Sequence, residues 1–372
     1  RQRQMCIRDS PKMDKRVDSN LLLDMSGMLN DIGFNLDDEL GVANMAEYHY
    51  DDGAVYGFPT KYENSRWILI NEDMFKEAGL DIPYDGWTYS EFLADAEKLT
   101  HGEGQDKVYG VCWARKQSGK SILYALDGVL GANQIYKNEE GTEVNFDNDV
   151  YRAGLNLVKE TLDKGYAIPI EDEFSEDISV ANTFLQGKCA IMLGVAQMRL
   201  CMDQENYPHD FMTALVPAPV PDDEKYNTEF YRKQIGTTGA GDLLSISANT
   251  KYPEASFEFA MWYLKGGMSP LVQGGRIPLW NGVNKDEVLS VLKEKAQGSI
   301  DMDSMENYLS LDTTQGVAAI KGNASSEISS AWFEEFDAMC YGKQSVDQTV
   351  QNMEKRGNEL IQTELSLSLI HI

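Results

Sequence analysis

An α/β protein is what this sequence predicts, and three observations carry that expectation. Strand-like apolar runs alternate with helix-like runs over most of the 372 residues. Two capping boxes and a proline-led segment mark helix starts, each followed by apolar residues at helical spacing. With 42% hydrophobic and 10% aromatic residues, the chain can fill substantial cores, and its length suggests two or three domains.

In chain order, the first strand-like run is Trp67–Asn71 (WILIN). Thr88-Tyr-Ser-Glu91 then forms a capping box, in which hydroxyl and carboxylate satisfy orphan N–H groups reciprocally. Tyr89, Phe92, Leu93, Ala96 and Leu99 follow on one helical face. Further strands are expected at Val108–Trp113, Ala190–Leu193, Phe211–Val216 and Leu243–Ile246. Helices are expected near 119–131, 149–165, 177–187 and 284–296. Pro253 and Glu254 open another helix, whose Ala255, Phe259, Trp262 and Tyr263 form an apolar stripe read as facing the core. Trp332 is read as a core residue as well, and Trp87 as a packing one. Ser345-Val-Asp-Gln348 is a second capping box before Val346, Val350, Met353 and Leu360. Two Pro-rich spots, Phe58–Thr60 and Val216–Pro221, are read as changes of direction.

Composition excludes several classes. Lys+Arg 33 against Asp+Glu 60 leaves a net charge of -27, which repels a phosphate backbone and an anionic lipid surface. No run approaches the ~18 consecutive apolar residues of a membrane span. The five cysteines show no metal spacing and no disulfide framework. No nucleophile elbow, Walker A loop or zinc-protease signature occurs, and Gly236–Gly241 precedes a strand where a dinucleotide fingerprint follows one. Neither enzymatic activity nor a cofactor or metal is expected. Residues 1–10 and 365–372 lack a pattern joining them to their neighbours, resemble translated adapter ends and are set aside as artefactual tails.

Six segments in a fixed order are more specific. Asp52-Gly-Ala-Val-Tyr56-Gly-Phe-Pro59-Thr60 is followed by Ile68-Leu-Ile-Asn71-Glu-Asp-Met-Phe75-Lys-Glu-Ala-Gly79-Leu80 and then Trp87-Thr88-Tyr-Ser-Glu91-Phe92. Phe184-Leu-Gln-Gly187-Lys188-Cys-Ala190-Ile-Met192 comes next. Leu244-Ser-Ile-Ser247-Ala-Asn-Thr-Lys251-Tyr-Pro253-Glu254-Ala255 and Gly342-Lys-Gln-Ser345-Val346 close the series. In this order the segments resemble those of the family 1 bacterial extracellular solute-binding proteins, maltose-binding-protein-like components of ABC transporters. Several have a structural sense of their own, since Thr88 caps a helix, Gly79 ends one and Pro253 opens one.

The resemblance implies a two-lobed, type II periplasmic-binding-protein-like fold with discontinuous lobes joined by hinge crossings. An N-terminal lobe of 11–60 plus 241–320 is expected, incomplete because family members carry further βα units upstream. The C-terminal lobe would take 61–240 plus 324–362. Crossings would fall near Pro59–Tyr62, Gly239–Asp242 and Gly316–Asn323. The implied role is carbohydrate capture between the lobes by hinge closure, with ABC permease subunits as partners and no nucleic acid. The protein would act outside the cytoplasm as a monomer, with any membrane attachment through a lipid anchor beyond this segment. A sensory or adhesion protein of the same fold is the alternative, and a glycan hydrolase a more distant one.

Sugar binding needs aromatic faces for the pyranose C–H surface, with planar polar groups for its hydroxyls. By resemblance, three loops contribute in the second lobe. They hold Glu63, Asn64, Arg66 and Trp67; Trp113, Arg115 and Gln117; and Gln197, beside an Ala196 that stands where sugar-binding members often have Trp or Tyr. Gly239 and Asp242 offer a glycine-rich turn, and Trp280 lies in an irregular segment, Arg276–Trp280, that approaches from the other lobe. Trp67 and Trp113 border strands, so core and cleft both stay open for them. Arg66, Arg115 and Lys116 are first read as solvated charge, with an acidic sugar or phosphate as the other possibility.

Overall fold

The computed structural model describes residues 13–45, 48–50, 52–64, 66–113, 135–138, 140–175, 180–234, 240–311 and 323–370. Among them, in chain order, run β1 (Phe58–Tyr62), β2 (Trp67–Asn71), β3 (Tyr109–Cys112), β4 (Cys189–Leu193), β5 (Thr213–Pro217), β6 (Ala240–Leu244) and β7 (Ile277–Pro278). The α/β class is observed, in two compact units of non-contiguous chain. The first unit takes the described residues within Arg1–Asn64 and Gly236–Lys295. The second takes those within Ser65–Ile235, Ala296–Leu311 and Ile320–Ile372.

The second unit is built on β2. All five of its residues are buried, which explains an uninterrupted apolar run instead of an alternating one. It lies between β4 and β5, antiparallel to both, with Ile68 opposite Leu193 and Val216. β3 adds parallel to β4, giving the order β3-β4-β2-β5. Asn71 ends β2, and its side chain accepts from the Met74 amide at 3.1 Å, so the strand passes directly into the helix Glu72–Glu77. The Thr88 capping box forms as expected, with the Thr88 amide donating to Glu91 Oε2 at 2.7 Å. Its helix, Tyr89–Leu99, lies tight on β3 because residue 110 is glycine; a Cβ there would sit 2.3 Å from the Ala96 carbonyl oxygen.

Residues 296–311, which the sequence reading grouped with 241–320, belong to this second unit. β5 is an edge strand, and its outward amides need partners. Thr213 donates to the Ser299 carbonyl and accepts from the Asp301 amide, both at 2.9 Å. The Leu215 amide donates to Ser304 Oγ at 3.0 Å. The segment therefore seals the β5 edge.

Two long helices, Ser325–Cys340 and Val346–Ile370, pack on the same core. The second capping box also forms, with the Ser345 amide donating to Gln348 Oε1 at 2.9 Å. The final helix continues through residues 365–370, which the sequence reading set aside, and Leu365 packs against the core. No glycine or proline interrupts that stretch, so nothing stops the helix there. Residues 1–10 and the helix expected near 119–131 lie outside the described residues.

In the first unit, β1 runs between β6 and β7, antiparallel to each. The Phe58–Thr60 spot, expected to be a change of direction, is thus the start of the central strand. The helix Pro253–Trp262 forms as expected but turns the other way. Its buried residues are Phe257, Ala260 and Met261, whereas Phe259 and Trp262 face solvent. Apolar residues lie on more than one face of this helix, so no single polar face reveals its inward side. Trp332, by contrast, is in the core, stacked on Phe336 at 5.0 Å.

The two tryptophans give an opposed pair of expectations. Trp332 is 1% exposed, so Trp332→Ala should destabilise by roughly 3–5 kcal/mol. Trp262 is 59% exposed, so Trp262→Ser should change stability by no more than about 0.5 kcal/mol, both read by denaturant unfolding. A second expectation concerns pH. Burial raises the Asp95 carboxyl to about 6, with Glu91 and Asp81 adding to the rise and Lys98 opposing it. A raised folded pKa favours the fold below the ordinary value of 3.8, and that advantage is lost as pH rises through about 6. After allowance for solvent screening the loss is about 1 kcal/mol, so Asp95→Asn should raise Tm by roughly 2–4 °C at pH 7.5 and leave it unchanged at pH 3.5.

Candidate functional site

The first unit gathers charged side chains on its small sheet. In register, Lys61 faces Gly241 of β6 on one side and Pro278 of β7 on the other. Residues two apart on an extended chain share a face, so Lys61 and Glu63 lie together and form an ion pair. Gly241 leaves the neighbouring position clear; a Cβ there would be 3.9 Å from the Glu63 Cβ. Asp242, the next residue on β6, forms an ion pair with Arg276, which precedes β7. That pair links the two outer strands across β1.

Asp242 also carries backbone strain. Its φ is 52°, a left-handed conformation that costs a non-glycine residue free energy. The surrounding bonds hold it there, with Thr60 Oγ1 donating to the Asp242 carbonyl at 2.8 Å. Nearby in the same unit, Trp280 donates from Nε1 to Glu39 Oε2 at 2.6 Å. Its ring lies over Gly282, where a Cβ would come within 2.2 Å of the indole. The ring is half-buried and fixed in position. Tyr62 is buried, and burial alone pushes its phenol far up, so it stays neutral.

The remaining predicted site residues are distributed as follows. Asn64 and Arg66 are buried, and the Arg66 carbonyl accepts from the Ala218 amide at 2.8 Å. Trp67 is 3% exposed and packs on Tyr308, ring centroids 5.4 Å apart. Trp113 is 4% exposed, donates to Thr161 Oγ1 at 2.9 Å and packs on Phe92. As placed, neither tryptophan offers a ring face to a ligand. Gln197 closes the short turn Val195–Gln197 and is partly exposed. Arg115, Gln117 and Gly239 lie outside the described residues. Lys61 and Glu39 were absent from the sequence reading. Recognising residues 58–62 as a strand would have found Lys61 through its spacing to Glu63, whereas Glu39 reaches Trp280 only through the tertiary fold.

This chemistry suits a neutral, hydroxyl-rich molecule. Two carboxylates, each beside a cation, an ammonium or a guanidinium, present donors and acceptors side by side. Among the described residues no group of His, Cys, Asp and Glu side chains is arranged to hold a metal ion. No described helix is long and apolar enough to cross a membrane.

The family model for bacterial extracellular solute-binding proteins matches residues 4–265. The chain belongs to that family. Solved structures share the fold of this solute-binding protein, with two lobes of the type II class. A sugar transporter from Rhizobium etli in an open conformation superposes with a TM-score of 0.72 at 17% identity, over 95% of this chain and 84% of that one. An ABC substrate-binding protein from Listeria monocytogenes, in complex with cycloalternan, gives 0.71 at 17% identity over 93% and 81%. An ABC transporter solute-binding protein from Agrobacterium vitis with bound D-mannitol gives 0.66 at 18% identity over 98% and 85%.

The charged pair in this solute-binding protein has a measurable consequence. Both partners are partly exposed, so a double-mutant cycle with Asp242→Ala and Arg276→Ala should return a coupling of about 1 kcal/mol. Urea unfolding of the four proteins provides it.

Proposed function

We propose that this protein is the carbohydrate-capturing component of an ABC importer, acting outside the cytoplasm. The observation that carries the reading is the charged cluster Lys61, Glu63, Asp242 and Arg276 on the sheet of the first unit, which also holds the half-buried Trp280. Family membership and neighbours that hold mannitol and cycloalternan support it. In this reading the carboxylates accept from sugar hydroxyls, Arg276 and Lys61 donate to them, and the free part of the Trp280 ring meets the apolar C–H face.

Ligand first binds one lobe, the lobes then close by a hinge, and the closed form is recognised by the transmembrane subunits of the importer. The protein acts as a monomer held near the membrane by a lipid anchor. Trp67 and Trp113 have no ligand role in this proposal, since their rings serve the second unit's core. Glu63, Asp242 and Trp280 remain as the proposed ligand contacts.

A thermal-shift screen against mono- and oligosaccharides tests the proposal. A ligand at 100 times its Kd should stabilise by about 2.7 kcal/mol, a shift of several degrees. Arg276→Ala and Glu63→Gln should each abolish that shift while the protein without sugar still unfolds cooperatively. Silence across the library from well-folded protein would overturn the carbohydrate assignment.

A further inference from the structure

Within the first unit, the helices Ser26–Asp31 and Pro253–Trp262 border a groove of about 390 Å³ that shares no lining residue with the charged sheet cluster. Its floor is apolar, formed by Met28, Phe257 and Met261. Ile32 stands at the rim, 52% exposed, an unusual position for a β-branched side chain. Three carboxylates, Asp31, Glu254 and Glu258, complete the lining, and among the described residues no Lys, Arg or His is part of it. Lys265, further along this helix run, is engaged over the Phe34 ring at 4.3 Å.

Two features give the groove a polarity that the described residues leave uncompensated. Asp31 is the last residue of its helix, where the helix dipole is already negative, and that last turn holds no basic residue. Glu254 and Glu258 are one turn apart on the facing helix, so their charges add along a single edge. Beside this edge the same helix exposes Phe259 and Trp262, ring centroids 5.4 Å apart. Soluble surfaces rarely expose apolar groups in such a contiguous patch, and aromatic side chains are enriched at protein interfaces.

We infer that this groove docks a segment of another protein in which basic residues flank one large apolar side chain. The apolar side chain enters between Met28 and Met261, whose flexible thioethers adapt to its shape. The flanking cations meet Asp31, Glu254 and Glu258, and the exposed aromatic pair extends the contact along the helix. A second copy of this chain is a poor occupant, because a net charge of -27 on each molecule opposes self-association. The inference does not depend on which solute the protein carries.

The test uses full-length protein with ¹³C-methyl-labelled methionine and a synthetic peptide carrying one phenylalanine between two arginines. Met28→Leu and Met261→Leu assign the two groove resonances. The peptide should shift those two signals saturably and leave the other methionines in place. Glu258→Lys should weaken binding at least tenfold, while Glu306→Lys, an equal charge change on an exposed residue of the second unit, should weaken it less than threefold. A peptide with serine in place of phenylalanine should lose most of the affinity. Absent or scattered shifts, equal losses from the two lysine variants, or undiminished binding of the serine peptide would each overturn the inference. So would sedimentation showing dimers that Trp262→Glu dissociates, since the occupant would then be a second copy.

Discussion

The pairing of β1 with β6 joins residues that are 182 positions apart, and the first unit exists only because that pairing forms. Closing a loop of this length costs about 5 kcal/mol by the logarithmic scaling of loop entropy. The intervening chain offsets much of that cost by folding as a unit of its own, which brings its ends nearer than a free chain would. Once the register is set, with Lys61 opposite Gly241 and Phe58 opposite Leu244, the charged side chains have no freedom to drift apart. Glu63 lies over a glycine, Asp242 meets Arg276 across the central strand, and Thr60 holds the strained carbonyl. The same pairing thus supplies both the scaffold and the candidate site.

The second unit follows a different logic. Its stability comes from a fully buried strand between two others, covered by helices whose large side chains are almost wholly buried. Aromatic residues concentrate there: Trp87, Trp113, Trp332, Tyr151 and Phe336 all serve packing. A tryptophan beside a strand in such a unit is more useful as core than as ligand platform. Trp113, whose Nε1 finds Thr161 inside the unit, shows how the polar end is satisfied without reaching solvent. The charged candidate cluster lies on the smaller unit, whose sheet has three strands against four.

The exposed groove on the first unit adds a second kind of surface. The sheet cluster pairs its charges internally, whereas Asp31, Glu254 and Glu258 line an apolar groove that has no cation among the described residues of its lining. That difference separates a site suited to a neutral polyhydroxylated molecule from one suited to a cationic protein segment. Both arise on a unit assembled from distant pieces of chain, which is why neither is visible as a contiguous motif.

The sequence by itself determined the local elements and the family. The capping boxes at Thr88 and Ser345, the helix start at Pro253 and the WILIN strand all depend on interactions within a few residues, so they can be read directly. The ordered segments gave the family for the same reason, since each encodes a local turn, cap or strand. Tertiary structure alone decided which face of the Pro253 helix is buried, that residues 296–311 seal the β5 edge, and that Phe58–Tyr62 is a central strand. It also decided that Trp67 and Trp113 are packed away while Lys61, Asp242 and Arg276 come together. These outcomes depend on partners tens to hundreds of residues away, chosen by volume, edge satisfaction and register, and no local pattern encodes such a choice.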